Sequence, residues 1–129
     1  MEHARPAYRS STLFVPCNAE ALPFENKSFD TVICLRLMHL LPPVTRRAIL
    51  KELARVSSQY VIASFSVLTP WQRLRLKLRR VVFSGKSAPH PVRLEVLQSE
   101  LWTVGLKITH QQSILPGLSC ERLLTLEKI

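Results

Sequence analysis

One histidine in this sequence follows an apolar segment at a point where a side chain can act on a bound substrate. His39 comes four residues after the segment 29–35, and the Cys34 thiol and the Arg36 guanidinium lie just before it. A neutral imidazole can accept a proton near pH 7, so His39 is the candidate general base. The alternative is a structural histidine that bonds to the backbone after a strand.

A second polar group lies ahead of a tight turn. Asn18, Ala19 and Glu20 precede the sequence Leu-Pro-Phe at 22–24. The side-chain oxygen of Asn18 can accept a hydrogen bond from a ligand amine. It can equally close the short turn that runs to Pro23, because asparagine side chains often bond to the backbone nearby. Both roles remain open on the residues alone.

Two strands and a helix are predicted to position these groups. The segment 29–35 is almost continuously apolar, which is typical of a parallel strand covered on both faces. The segment 44–56 has apolar residues at three- and four-residue steps and predicts a helix, with Arg46 pointing away from the apolar face. The segment 59–67 is rich in β-branched and aromatic residues and predicts the next strand. Together these segments predict a βαβ unit.

The remaining segments complete an α/β pattern. A short strand is predicted at 12–15, and a helix over 70–83 begins with the Thr69-Pro70 pair. A second helix is predicted from Val92 to about Val104, with Gly105 at its carboxyl end. The segments 106–115 and 118–128 predict an antiparallel hairpin.

This order of elements resembles the class I S-adenosylmethionine-dependent methyltransferases, the group that includes the ubiquinone and menaquinone C-methyltransferases. The resemblance rests on the Asn18 to Phe24 segment, the Ser28 to Cys34 strand, and the Glu-x-x-Arg-Val sequence at 52–56, and it covers nearly the whole chain. It implies an α/β fold, a Rossmann-like three-layer sandwich in which the last strand lies between the two strands that precede it. This sandwich would lack the family's first two strands and end in the antiparallel hairpin. Residues 1–129 would form a single partial domain, with the basic helical segment 70–83 over the substrate side.

The resemblance also implies a site for S-adenosylmethionine. Asn18, Ala19 and Glu20 would lie against the adenine, with Asn18 in place of the family's aspartate. Cys34, Leu35 and Arg36 would line the methionine end and the substrate mouth, beside His39. The chain has no glycine before Gly85, so the family's glycine-rich cofactor loop is absent. We therefore expect a truncated or cofactor-deficient methyltransferase whose isolated chain binds the cofactor weakly or not at all.

The charge distribution supports one alternative function. The net charge is +9, and residues 71–86 hold six cations and no acid. This amphipathic segment could make the protein a non-catalytic module that binds nucleic acid or an anionic membrane. We favour the interpretation as a methyltransferase. In that interpretation the same segment covers the substrate pocket, and the protein's binding partner is a small-molecule methyl acceptor.

Cysteine spacing, hydropathy and strand pairing set further expectations. Three widely spaced cysteines predict neither a disulfide framework nor a metal site. No apolar run approaches the roughly 18 residues of a membrane span, and no signal peptide is recognisable, so a cytoplasmic protein is expected. Without the family's first strand, the segment 29–35 has an unpaired edge, which predicts self-association or a complementing chain.

Overall fold

The computed structural model describes residues 12–67, Leu74, 92–114 and 121–129. In chain order its elements are strand β1 (Phe29–Cys34), a 3-10 helix (Met38–Leu40), helix α1 (Pro43–Val56), strand β2 (Ser57–Ser66), helix α2 (Leu94–Thr103), strand β3 (Leu106–Ser113) and strand β4 (Glu121–Lys128). Within these ranges no helix is long and apolar enough to cross a membrane.

The four strands form one sheet in the order β1-β2-β4-β3. Strands β1 and β2 are parallel, as the βαβ pattern predicts, and Val32 lies opposite Val61. Strand β4 is antiparallel to both β2 and β3, so the predicted hairpin is confirmed. The order is the one that the methyltransferase resemblance implies, in which the last strand inserts between its two predecessors.

Both α-helices pack on the same face of the sheet. Pro43 stands in the first turn of α1, where its missing N–H costs nothing. Gly105 ends α2 as predicted, with φ +79° and an N–H that donates to the carbonyl of Trp102 at 3.1 Å. The shared core contains, from the helices, Ile49, Leu50, Leu53, Leu97 and Leu101, and from the sheet, Val61, Ala63, Phe65, Leu124 and Leu126.

Strand β1 forms one edge of the sheet, and among the described residues it pairs only with β2. Its Val32 and Cys34 side chains pack against the core. The alternate residues point to the opposite face, which we call the open face. Ile33 on that face is 62% exposed and Phe29 is 41% exposed. Within the described part of the chain, the unpaired edge expected from the sequence is therefore present.

Three sequence predictions differ from the structure in detail. The strand predicted at 12–15 is wrong, because residues 12–17 have no regular secondary structure and Leu13 is 85% exposed. Strand β2 begins at Ser57 rather than 59, since α1 passes into it without a connecting loop. The second helix begins at Leu94 because Val92 instead pairs with Val67 in an isolated parallel bridge.

Two other predictions fall outside the described residues. Of the basic segment 70–83 the structure describes only Leu74, which is helical and half exposed. The Pro116-Gly117 turn between β3 and β4 is not among the described residues either. The placement of the basic segment over the substrate side therefore stays a prediction.

The prediction that Arg46 points away from the core is wrong. Its side chain is 2% exposed and lies between the two helices, where its Nε and Nη2 atoms donate to the two carboxylate oxygens of Glu100 at 3.0 and 2.8 Å. This paired geometry replaces the hydration that a buried guanidinium loses. Arg46 can therefore be buried, because Glu100 on the other helix faces its guanidinium.

Candidate functional site

Asn18 closes a tight turn through its own side chain. The Oδ1 atom accepts the N–H of Glu20 at 3.0 Å, and the Asn18 carbonyl accepts the N–H of Ala21 at 3.1 Å. Ala19 is partly buried against the core, whereas Asn18 and Glu20 are exposed. The turn-closing role that the sequence left open is thus observed. It uses only oxygen atoms of Asn18, so the side-chain NH2 group remains a possible ligand donor.

The loop after this turn is held by two residues of α1. One Glu52 oxygen, Oε2, accepts the backbone N–H of Leu22 at 2.9 Å. The Arg55 guanidinium donates to the carbonyls of Leu22 and Phe24 at 2.9 and 2.8 Å, and to Asn26 Oδ1 at 2.9 Å. The sequence predicted only an intrahelical ion pair for these two residues. That pair exists, with Arg55 Nη2 at 2.7 Å from Glu52 Oε2, but it also anchors the loop.

Glu52 is strongly stabilised in its ionised form. The hydrogen bond from Arg55 and then the Leu22 N–H lower its pKa from 4.5 to about 2. Because the pKa is lower in the folded than in the unfolded chain, the ionised carboxylate stabilises the fold. That contribution is complete above about pH 4.5 and is lost as the pH falls toward 2.

We expect the chain to lose stability on acidification more steeply than a Glu52→Gln variant. The variant has no carboxylate at position 52 to protonate, so its free energy of unfolding lacks this pH-dependent contribution. Urea unfolding at steps between pH 7 and pH 2.5 measures both slopes. Parallel curves for parent and variant over this range would contradict the assigned role of Glu52.

Of the candidate residues at the end of β1, Arg36 has a strained backbone conformation. Cys34 ends the strand and is half-buried, and burial raises the pKa of its thiol. Leu35 is 55% exposed, and Arg36 adopts a left-handed conformation at φ +59°. The Arg36 N–H donates to Ser64 Oγ of the neighbouring strand at 2.7 Å, which holds this conformation. A non-glycine residue in this region is uncommon and often marks a functional position.

His39 lies in the 3-10 helix that follows. The residue is half-buried, and its Nδ1 atom is buried without a hydrogen-bond partner in the described part of the chain. Among the described residues, Nδ1 therefore has no backbone bond of the kind that the structural alternative invokes. A buried polar atom of this kind is costly unless a ligand, water or other group satisfies it. The role of His39 as a general base stays a prediction.

The predicted site residues fall into two groups. Asn18, Ala19 and Glu20 form the turn, while Cys34, Leu35 and Arg36 form the strand end. Ala19 and Cys34 pack against the same hydrophobic core, so both groups border it. No hydrogen bond in the described ranges joins the two groups. Within the same ranges, no three His, Cys, Asp or Glu side chains cluster closely enough to hold a metal ion.

Residues 1–59 match the model of a family described as a methyltransferase domain. No curated protein matches the chain in sequence. The matched segment includes the turn at 18–21, the end of β1 and all of α1, which are the elements that carry the candidate site and the loop anchor.

Several solved structures share the fold. Magnesium protoporphyrin IX methyltransferase from Synechocystis with bound SAH superimposes with a TM-score of 0.77 at 21% identity, over 95% of this chain and 54% of that one. The same enzyme with bound SAM gives 0.65 at 18% identity, over 95% and 49%. A SAM-dependent methyltransferase from Methanosarcina mazei gives 0.69 at 17% identity, over 87% and 65%. The chain thus spans about half to two thirds of the length of these structures.

The chain has the Rossmann-like α/β fold of the class I S-adenosylmethionine-dependent methyltransferases. Within that fold it comprises a four-stranded sheet with the antiparallel terminal hairpin, two α-helices on one face, and the turn that precedes β1. The fold class predicted from the sequence is confirmed, and the family match over residues 1–59 agrees with the resemblance for that part of the chain.

Proposed function

We propose that this protein acts in methyl transfer from S-adenosylmethionine to a small-molecule acceptor. The observation that carries the proposal is the end of β1, where Arg36 is held in a left-handed conformation and His39 has an unsatisfied buried nitrogen. In open α/β sheets, ligands bind beyond the carboxyl ends of the strands. Both residues follow such a strand end, in a chain with a methyltransferase fold.

The residues present fit the cofactor in chemical type. The Asn18 amide and the Ala19 backbone can bind the adenine edge, and Glu20 lies beside them. Cys34, Leu35 and Arg36 can line the methionine end, where the Arg36 guanidinium suits a carboxylate. When bound, S-adenosylmethionine supplies an electrophilic methyl group on a sulfonium. His39 would accept the proton that the acceptor loses.

The affinity of this chain for the cofactor should be low. A carboxamide at position 18 makes a weaker bond to an amine than a carboxylate does, and its oxygen already accepts the Glu20 N–H. Residues 1–84 contain no glycine, so none of them can form a glycine-rich loop around the ligand's amino acid end. Binding in the millimolar range is consistent with the contacts that remain.

The expected result of a titration with S-adenosylhomocysteine is therefore weak, saturable binding. In the ¹⁵N-labelled chain, amide shifts should change at Ala19 and Glu20 and at Leu35 and Arg36. Adenosine should perturb only the first pair, because it lacks the amino acid end. Shift changes elsewhere, or none at millimolar ligand, would contradict the proposed site.

Arg36 and Lys27 offer a matched pair of variants. Both are non-glycine residues at φ +59°, so replacing either by glycine removes a similar strain. We expect each variant to gain between 0 and about 1 kcal/mol of stability. Only Arg36→Gly should lower the affinity for S-adenosylhomocysteine. The expected loss is about tenfold, the effect of losing a charge-assisted hydrogen bond of about 1.4 kcal/mol. Adenosine binding should be equal in both variants. Equal loss of S-adenosylhomocysteine affinity in both would remove Arg36 from the site.

The edge of β1 supports a second part of the proposal, that two copies of the chain associate. Strand β1 has described pairing on one side only, and Phe29 and Ile33 expose apolar surface on the open face. An unpaired strand edge beside an apolar patch favours association. The alternative function, a nucleic-acid or membrane module, depends on the segment 70–83, which lies almost entirely outside the described residues.

A further inference from the structure

We propose that Glu52 and Arg55 act as positioning residues, a latch on α1 that holds the turn at 18–21 in its ligand-binding geometry. The inference rests on the proposed function, because it concerns the same adenine contacts. Neither residue is among the proposed ligand contacts. Their effect on the ligand would pass through the loop that connects the turn to β1.

The latch binds the backbone of the loop at Leu22 and Phe24. Glu52 accepts a hydrogen bond from the Leu22 N–H, while the Arg55 guanidinium donates to the carbonyls of Leu22 and Phe24. The Arg55 carbonyl also accepts the N–H of Lys27 at 2.9 Å. Residues 22–28 contain no helix or strand, so these bonds replace the regular pairing that the loop lacks.

The first latched residue adjoins the turn itself. Leu22 follows Ala21, whose N–H closes the turn on the Asn18 carbonyl. Both backbone polar groups of Leu22 are bound by the latch, since its N–H donates to Glu52 and its carbonyl accepts from Arg55. The peptide groups on either side of Leu22, including the one that joins it to Ala21, are therefore held by α1. Since the turn is only four residues long, its direction depends on the peptide that follows it.

The pairing of the two residues is what makes the latch specific. Arg55 Nε and Nη2 bind Glu52 Oε1 and Oε2 at 2.8 and 2.7 Å, which leaves Nη1 and the second Nη2 hydrogen for the loop. A planar fork can bind a carboxylate and two carbonyls at once, whereas an ammonium cannot reproduce that geometry. An ion pair on a solvent-exposed helix face would need none of these loop contacts.

Two conservative variants distinguish an effect of the latch on ligand binding from a general loss of stability. Arg55→Lys retains the charge and loses the fork, and Glu52→Gln retains an acceptor for Leu22 and loses the charge. Arg47→Gln serves as the control, because Arg47 is an exposed cation of the same helix with no described loop contact. The measurements are adenosine affinity by amide shifts at Ala19 and Glu20, and hydrogen exchange of the Ala21 and Leu22 amides.

Both latch variants should bind adenosine about tenfold more weakly, equivalent to about 1.4 kcal/mol, and the Ala21 and Leu22 amides should exchange hydrogen faster. The amide chemical shifts of residues in β2 and β4 should match those of the parent, which would show that the fold is retained. Arg47→Gln should leave affinity and exchange unchanged. If the parent binds adenosine at the turn and both latch variants bind equally well, the inference is overturned while the proposed site stands. If the parent shows no binding at the turn, the proposed site and the inference fall together.

Discussion

Replacing Arg46 by alanine should lower the free energy of unfolding by about 3–5 kcal/mol, a large part of the stability of a chain this size. The substitution leaves the Glu100 carboxylate, which is 7% exposed, without its partner between the two helices. Removing one member of a buried pair costs more than the pair contributes, because the remaining charge stays desolvated. Urea unfolding followed by circular dichroism measures the change.

The adjacent residue provides the control for this prediction. Arg47 has the same chemistry and the next position in α1, but it is exposed, so Arg47→Ala should change stability by less than about 0.5 kcal/mol. A double variant, Arg46→Met with Glu100→Leu, should recover most of the loss because it removes both charges. Equal effects of the two alanine substitutions would show that the Arg46 environment is not as dry as its burial indicates.

The parts of the fold that the sequence predicted well are those determined by local pattern. The apolar run at 29–35 and the three- and four-residue spacing over 44–56 each correspond to an observed element. Gly105 ends its helix as its position predicted. The order of the sheet came from the family resemblance instead, because no local pattern tells a strand which neighbours it will have.

The features that sequence reasoning missed depend on contacts between distant residues. Arg46 and Glu100 are 54 positions apart, and the apolar stripe of α1 gave no reason to bury a cation. Glu52 lies 30 positions from Leu22, so its spacing to Arg55 predicted only the local pair. A strand was predicted at 12–15 from three apolar residues, but a strand needs a partner, and the described residues give it none.

The candidate site could be predicted only in part, because its geometry also depends on contacts between residues that are distant in the sequence. Residue types and family resemblance indicated Asn18, Arg36 and His39, and the structure supplies their surroundings. Nothing in the sequence indicated that Arg36 would be left-handed, since glycine and asparagine are the usual signals for that conformation. Its geometry depends on Ser64 of the adjacent strand, and that contact exists only after the sheet has formed.

The second large effect that we expect concerns the association of two copies through the exposed face of β1. Ile33 is 62% exposed on the open face of β1, where a second copy could cover it. Burying an isoleucine side chain contributes about 1.5–3 kcal/mol, so covering the exposed part contributes roughly 1–2 kcal/mol for each chain. A symmetric dimer buries two such side chains, and the sum is roughly 2–4 kcal/mol.

Ile33→Lys should therefore raise the dissociation constant of the dimer by about 30- to 1,000-fold, and more where the two lysines face each other. Light scattering during size-exclusion chromatography over a concentration series measures it. Val44→Lys is the matched control, because Val44 is 70% exposed on α1, which packs on the opposite face of the sheet, and the same cation is introduced. If both variants dissociate the dimer equally, added charge rather than the β1 edge is responsible. A parent chain that is monomeric at every concentration would mean that the open face contributes too little to hold two copies together.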